Sequence, residues 1–247
     1  MTISTFRFYD RLNSFLPPLC RGREFPCAYA RSATTKHMIE ALGVPHTEVV
    51  LVLVNGEPAG FNRMLRAGDR VAVYPKFESL DVSELVAAPP RPSGPPRFAA
   101  DSHLGALARL LRSAGFDTLF DNHYEDAALA ELARLENRIL LTRDRELLKR
   151  RSVLYGGYVH AVKPRSQLRE VFDRFDLATQ MQPFTLCTYC NVSLQDVNKQ
   201  QILDRLPPRV QQLHEYFLTC DHCQRIYWEG SHWKQMSLLL ESLTGDH

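Results

Sequence analysis

Little in this 247-residue sequence ties it to a membrane or to an oxidising compartment. No apolar run approaches the ~18 residues a membrane-spanning helix needs. The opening "MTISTFRFYDRLNSF" carries charges where a secretory leader needs its apolar stretch, so export is not expected. Net charge is only +2, with 30 Lys and Arg against 28 Asp and Glu, so no global field selects a partner and only local clusters can. Six cysteines include two C-x-x-C pairs, which suit a metal in a reducing, cytoplasmic setting better than a disulfide framework. Internal repeats are missing too. What is present is ordinary for a globular chain: 45% hydrophobic and 23% charged residues, enough for a core, in a length that fits two units.

"AAPPRPSGPP", 87–96, holds five prolines and a glycine, which continue neither a helix nor a central strand. It reads as a linker behind a first domain, 1–86. Within that domain, 5–12 and 23–30 read as strands, followed by a helix over 32–44 with Ser32 or Thr34 as N-cap and Gly43 as its stop. A β-branched run over 47–60 turns at Asn55-Gly56, and a last strand covers 66–75. The order β-β-α-β-β is the β-grasp of ubiquitin-like proteins. Over 3–77 it resembles the sulfur carriers of thiamine and molybdopterin synthesis (ThiS/MoaD type). Those carriers need a free diglycine tail; here the strand runs on into "YPKFESLDV". A module that docks a protein partner is expected, not a sulfur carrier.

Beyond the linker, strands and helices alternate. Strand 97–101 leads to a helix over 102–115 with Leu104, Leu107, Ala108 and Leu111 on one face, ended by Gly115. Strand 116–120 precedes a helix over 125–137 with Asp126, Leu129, Ala130 and Ala133 on one face. Strand 138–142, a helix opening in "RDRELLKRR", strand 155–162 and a helix over 164–175 complete a core assigned to 97–180. Such alternation implies a parallel sheet covered by helices, with its ligand crevice at the carboxyl ends of the strands.

Carboxylates gather at that edge. Asp101 closes the first strand of the core, Asp144 closes the third within "LLTRD", and Asp126, or its neighbour Glu125, opens the second helix. Any one alone serves as an N-cap, worth about 1 kcal/mol. Three in one small volume repel unless protonated or neutralised by a hard cation. Mg²⁺ or Mn²⁺ takes carboxylate oxygens, activates water and clamps a phosphodiester. Arg143, Arg145, Lys149, Arg150 and Arg151 crowd beside Asp144, with Arg165 and Arg169 further on, either as a solvated helix face or as phosphate contacts for RNA. His103 fits the start of a helix better than a catalytic role.

"RFAADSHLGALARLLRSAGFDTLF" and "ILLTRDRELLKRR" resemble the PIN-domain ribonucleases, over 97–235. The likeness is to the branch named after the C-terminal ribonuclease domain of the Mut-seven exonuclease. Members of that branch join a PIN-like core to a zinc ribbon, and an N-terminal ubiquitin-like unit also occurs among them. The resemblance implies a metal-dependent ribonuclease using Mg²⁺ or Mn²⁺, with Asp101, Asp126 and Asp144 as the first three acids. Asp121 and Glu125 are the candidates for a fourth.

"CTYC", 187–190, and "CDHC", 220–223, provide Cys187, Cys190, Cys220 and Cys223, a strong signal for structural Zn²⁺ in a ribbon assigned to 181–247. Their separation, twenty-nine residues, suggests helical insertions in "DVNKQQILDRL" and "PPRVQQLHEYFL". His222 could replace a thiolate or point outward, and Cys20 and Cys27 read as free thiols. "QRIYWEGSHW" reads as an aromatic hairpin turning at Gly230, which either stacks bases or packs the ribbon. Two functions remain on these grounds: a metal-dependent ribonuclease of single-stranded RNA, or a non-catalytic RNA-binding or adaptor protein whose acids only cap helices.

Overall fold

The computed structural model describes residues 1–29, 32–76 and 94–244, so most of the proline-rich segment falls outside the described residues. Strand β1 (Thr2–Phe8) alternates and turns Ser4, Phe6 and Phe8 inward. It stops short of the expected 5–12 because Asp10 takes a left-handed φ of 48°, which breaks the pleat and starts a 3₁₀ turn, Asp10–Phe15. Leu12 and Phe15 of that turn are still buried. Strand β2 (Phe25–Tyr29) pairs antiparallel with β1. Helix α1 (Thr35–Ala41) starts at Thr34, whose hydroxyl accepts the His37 N–H. Strands β3 (Leu51–Val54) and β4 (Glu57–Pro58) meet around Asn55 and Gly56, both at positive φ as a tight hairpin turn of this kind demands. Strand β5 (Arg70–Tyr74) is parallel to β1 and antiparallel to β3, giving the β-grasp order β2-β1-β5-β3-β4.

The α/β part alternates as expected: β6 (Phe98–Ala100), a 3₁₀ turn Ser102–Leu104, α2 (Gly105–Ser113), β7 (Thr118–Leu119), α3 (Asp126–Leu135), β8 (Ile139–Thr142), α4 (Arg145–Lys149), β9 (Gly156–Tyr158) and α5 (Pro164–Phe175). Strand β6 pairs in parallel with β7, and β8 in parallel with β9. The apolar faces predicted for α2 and α3 are buried: Leu107, Ala108 and Leu111 in one, Leu129, Ala130 and Ala133 in the other.

Then come β10 (Gln195–Asp196), α6 (Pro208–Leu213), β11 (Leu218–Thr219), β12 (Ile226–Tyr227) and α7 (Ser231–Glu241), with the three strands antiparallel in chain order. Two expectations change. The insertion is less helical than predicted, holding two 3₁₀ turns, Lys199–Gln201 and Leu203–Arg205, besides the six-residue α6. Gly230 does not turn a hairpin but stands at the N-cap of α7. The residues after it have a helical period: Trp233 stacks on Phe184 at 3.7 Å, and Leu240, two turns further along the same face, is buried. The hairpin lies earlier, between β11 and β12, with the second C-x-x-C pair as its loop.

By packing, the chain forms two compact units, Met1–Pro92 with Glu125–Tyr158, and Ser93–Tyr124 with Val159–His247. In the first, the β-grasp is fixed to the segment carrying β8, α4 and β9. The Glu48 carboxylate, buried to 1% exposure, accepts the Tyr158 N–H at 2.7 Å. His46 Nε2 lies 2.9 Å from the Val153 carbonyl, while its Nδ1 lies 2.7 Å from Glu40. Arg145 donates to the Phe15 carbonyl at 3.1 Å, and the Phe15 ring meets Tyr158 edge-on. Gly156 belongs to this seam, since a Cβ there would come within 2.7 Å of the Leu148 side chain. In the second unit, Phe98 meets Phe116 and Phe175 edge-on, and Phe116 meets Phe172 in the same way. Gly115, at φ 89°, ends α2 where any Cβ would sit 2.0 Å from the Gln182 carbonyl. Among the described residues no helix is long and apolar enough to cross a membrane.

Glu48→Ala withdraws a charged acceptor from a buried N–H. Unfolding in urea is expected to show a loss of about 1–3 kcal/mol, and Glu48→Gln, which keeps an oxygen acceptor, should lose less. An unchanged midpoint in the alanine variant would show that this seam adds no stability.

Candidate functional site

Asp101 follows three buried residues of β6 and is itself only 6% exposed, although aspartate is among the residues least often buried. Its backbone carbonyl accepts the Leu104 N–H at 2.8 Å, which closes the 3₁₀ turn. The carboxylate makes no cap bond; Ser102 Oγ lies 3.1 Å from its Oδ1. Asp126 is the first residue of α3, half-buried, and the N-cap there is Glu125, whose side chain also makes no cap bond. Asp144 does cap: its Oδ1 accepts the Glu146 N–H at 2.7 Å, and its own N–H donates to the buried Thr142 hydroxyl at 2.9 Å. Asp121 is exposed, and hydrogen bonds from the His123 backbone N–H and then its ring hold that carboxyl below the usual range. Asp101 belongs to the second unit, Asp126 and Asp144 to the first.

The basic residues divide by what they touch. Besides its bond to Phe15, the Arg145 guanidinium lies 5.0 Å from the Phe15 ring and 5.7 Å from the Tyr158 ring, so it is largely a structural cation. Lys149 is paired with Glu146 at 2.7 Å. Arg143 is half-buried, whereas Arg150 and Arg151 are exposed. His103 is also exposed.

The four cysteines are brought together. Their sulfurs all lie within 4.8 Å of one another, and Cys187 and Cys223 are 3.7 Å apart. A tetrahedron of sulfurs at ~2.3 Å from a central zinc has edges of roughly 3.8 Å, so the cluster has the right size and donor set for that ion. Two knuckles of the same design build it. In each, the first cysteine's sulfur faces the second cysteine's N–H (3.3 Å at Cys190, 3.5 Å at Cys223), and a left-handed residue follows, Asn191 or Gln224. The N–H of that residue returns to the first cysteine's carbonyl. Burial, then hydrogen bonds with Cys223 and Cys187, push the Cys190 thiol up to about 12. Burial would also raise Cys223, but hydrogen bonds from the Arg225 backbone and side chain outweigh it and bring the thiol down to about 6. Cys20 and Cys27 are free and half-buried, and His222 is exposed outside the cluster.

Arg112 was not foreseen. On α2 it is four residues beyond Ala108, on the edge of the apolar face, and that placement was its only sequence signal. The residue is 4% exposed; Nε donates to the Thr118 carbonyl, and Nη1 to the carbonyls of Thr188 and Tyr189 inside the first knuckle. Asn191 adds a second tie, donating to Asp117 and accepting the Thr118 N–H. The knuckle is thus fastened to the end of α2 and the start of β7.

Fold and site define an α/β protein with a β-grasp module and a ribbon whose four clustered cysteines have the donor set of a metal site. Residues 96–240 match the family model described as the Mut7-C RNAse domain, and residues 1–81 the one described as Mut7-C ubiquitin. The first match spans more than half of the chain, which therefore belongs to the Mut7-C RNAse domain family. Two crystal structures of small archaeal modifier protein 1 from Haloferax volcanii are similar at 21% identity and a TM-score of 0.26, covering 31% and 32% of this chain and 100% and 99% of theirs. None of the curated proteins matches.

Plasma mass spectrometry is expected to find one zinc per chain, and close to none in a Cys187→Ser, Cys220→Ser double variant. Arg112→Leu keeps all four thiols but removes one of the two fastenings of the knuckle, leaving that of Asn191. It should release zinc to a chelator more than about tenfold faster, the loss of one hydrogen bond from a charged group at roughly 1.5–3 kcal/mol being sufficient.

Proposed function

We propose that this protein hydrolyses phosphodiester bonds of single-stranded RNA using Mg²⁺ or Mn²⁺ held by Asp101, Asp126 and Asp144. Membership of a ribonuclease-domain family supports the substrate class. The observation that carries catalytic use of the acids is Asp101, a carboxylate buried at the carboxyl end of a parallel strand, where open α/β sheets place their ligands. Burying such a charge is costly unless donors or a cation meet it. The donor set is all carboxylate oxygen, which fits a hard divalent ion and contrasts with the thiolates of the ribbon. When bound, that ion lowers the pKa of water and offsets charge on the phosphodiester.

The chain's own residues supply orientation and charge. Ser102 steadies Asp101, and the Thr142 hydroxyl with the opening turn of α4 fixes Asp144. Arg143, adjoining Asp144, and the exposed Arg150 are the guanidinium groups best suited to an arriving phosphate. Zn²⁺ on Cys187, Cys190, Cys220 and Cys223 is structural, because protein ligands take all four positions. The β-grasp module offers a docking surface to a protein partner.

The Asp144 cap favours a second reading, an RNA-binding or adaptor protein without catalysis. Asp144→Asn separates the two, since Asn caps about as well as Asp but brings no charge to a metal. We expect an unchanged melting temperature together with a loss of at least about 100-fold in cleavage of end-labelled RNA with Mn²⁺, several kcal/mol of metal assistance being forfeited. Cleavage by neither protein would favour the adaptor, and equal cleavage by both would remove Asp144 from the catalytic set.

A further inference from the structure

In the second unit a cavity of about 690 Å³ opens between α2, the first turn of α5, the first cysteine knuckle and α7. That volume is in the range of ligand pockets. Its floor is apolar, formed in part by Leu110, Met236 and Leu239. Its rim is cationic: Arg109 from α2, Lys163 and Arg165 around the start of α5. No Asp or Glu lines it among the described residues. In a chain of net charge +2 this is a marked local excess. Tyr189, half-exposed at the knuckle, organises the rim further, with the Arg225 guanidinium 3.7 Å and the Arg109 guanidinium 5.1 Å from its ring centroid.

A floor for flat apolar groups, bordered by cations and lacking carboxylates, matches single-stranded nucleic acid, whose bases stack and whose phosphates recur along the strand. We propose that this cavity grips single-stranded RNA, with a base on the Leu110–Met236–Leu239 floor and phosphates on Arg109, Lys163 and Arg165. The proposal rests on the RNA reading above and extends it to the substrate's path. Arg109 follows Asp101 by eight residues, across the 3₁₀ turn and the opening of α2, so the cavity and that buried carboxylate belong to one continuous stretch of chain.

The test is fluorescence anisotropy of the full, zinc-loaded chain with fluorescein-labelled oligouridine, Mg²⁺ and Mn²⁺ being left out. The Arg109→Ala, Arg165→Ala double variant is expected to bind at least about tenfold more weakly, with a salt slope shallower by about 1.4, two phosphate contacts at ~0.7 each. Arg209→Ala, on α6 and outside the cavity, should bind as the wild type does. Oligonucleotides carrying 4-thiouridine should crosslink to peptides containing Tyr189 or Met236. Wild-type affinity and slope in the double variant, or crosslinks elsewhere, would overturn the proposal and leave the apolar floor to a protein partner. If the variant still cleaves RNA normally with Mn²⁺, the cavity assignment falls and the nuclease reading survives. Variant-sensitive binding without cleavage under any divalent ion would uphold the cavity and sink the nuclease. No binding at all would overturn the cavity.

Discussion

A carboxylate removed from water must be met by donors, and Glu48 is the residue through which the first unit satisfies that demand. Its partner is the N–H of Tyr158, on the side of β9 that does not pair with β8. His46, two residues earlier, reaches the carbonyl of Val153, just before that strand. The β-grasp is therefore not a bead on a flexible string. A short 3₁₀ turn, His46–Glu48, carries two buried polar side chains, each with a partner in the α/β segment. The glycines of "YGGY" fit the same constraint: Gly156 leaves the strand flat where Leu148 and Thr47 close over it.

Legibility followed the range of each interaction. Helical periodicity, the Asn55-Gly56 turn and the spacing of the cysteines are local signals, and they placed α2, α3, the β3–β4 hairpin and the sulfur cluster correctly. The five prolines of 87–96 read as a linker, whereas the bonds from Glu48 and His46 join residues more than a hundred positions apart and leave no pattern in a single sequence. Arg112 was hidden for a similar reason. It sits beside an apolar stripe and reads as its polar border, while its acceptors are carbonyls that any residue could provide. Gly230 misled because glycine beside aromatics suits a turn; a helical period starting one residue later decided otherwise.

The acids illustrate how far strand-end reasoning carries. Capping and ligation are not exclusive, and the three aspartates divide between them: Asp144 caps, Asp126 stands within a first turn, and Asp101 is buried with its backbone alone closing the turn. The helical span that begins after Asp101 ends at Arg112, so one short stretch runs from a candidate catalytic carboxylate to the fastening of the cysteine ribbon.

Gly115 closes that stretch, and its position has a consequence for inheritance and engineering alike. Even alanine has no room beside the Gln182 carbonyl, so the backbone leading to Cys187 would have to shift with the end of α2. A replacement at this glycine, remote in sequence from every thiol, would thus be diagnosed as a metal-handling defect: the lesion would lie in a helix stop and the symptom in the ribbon.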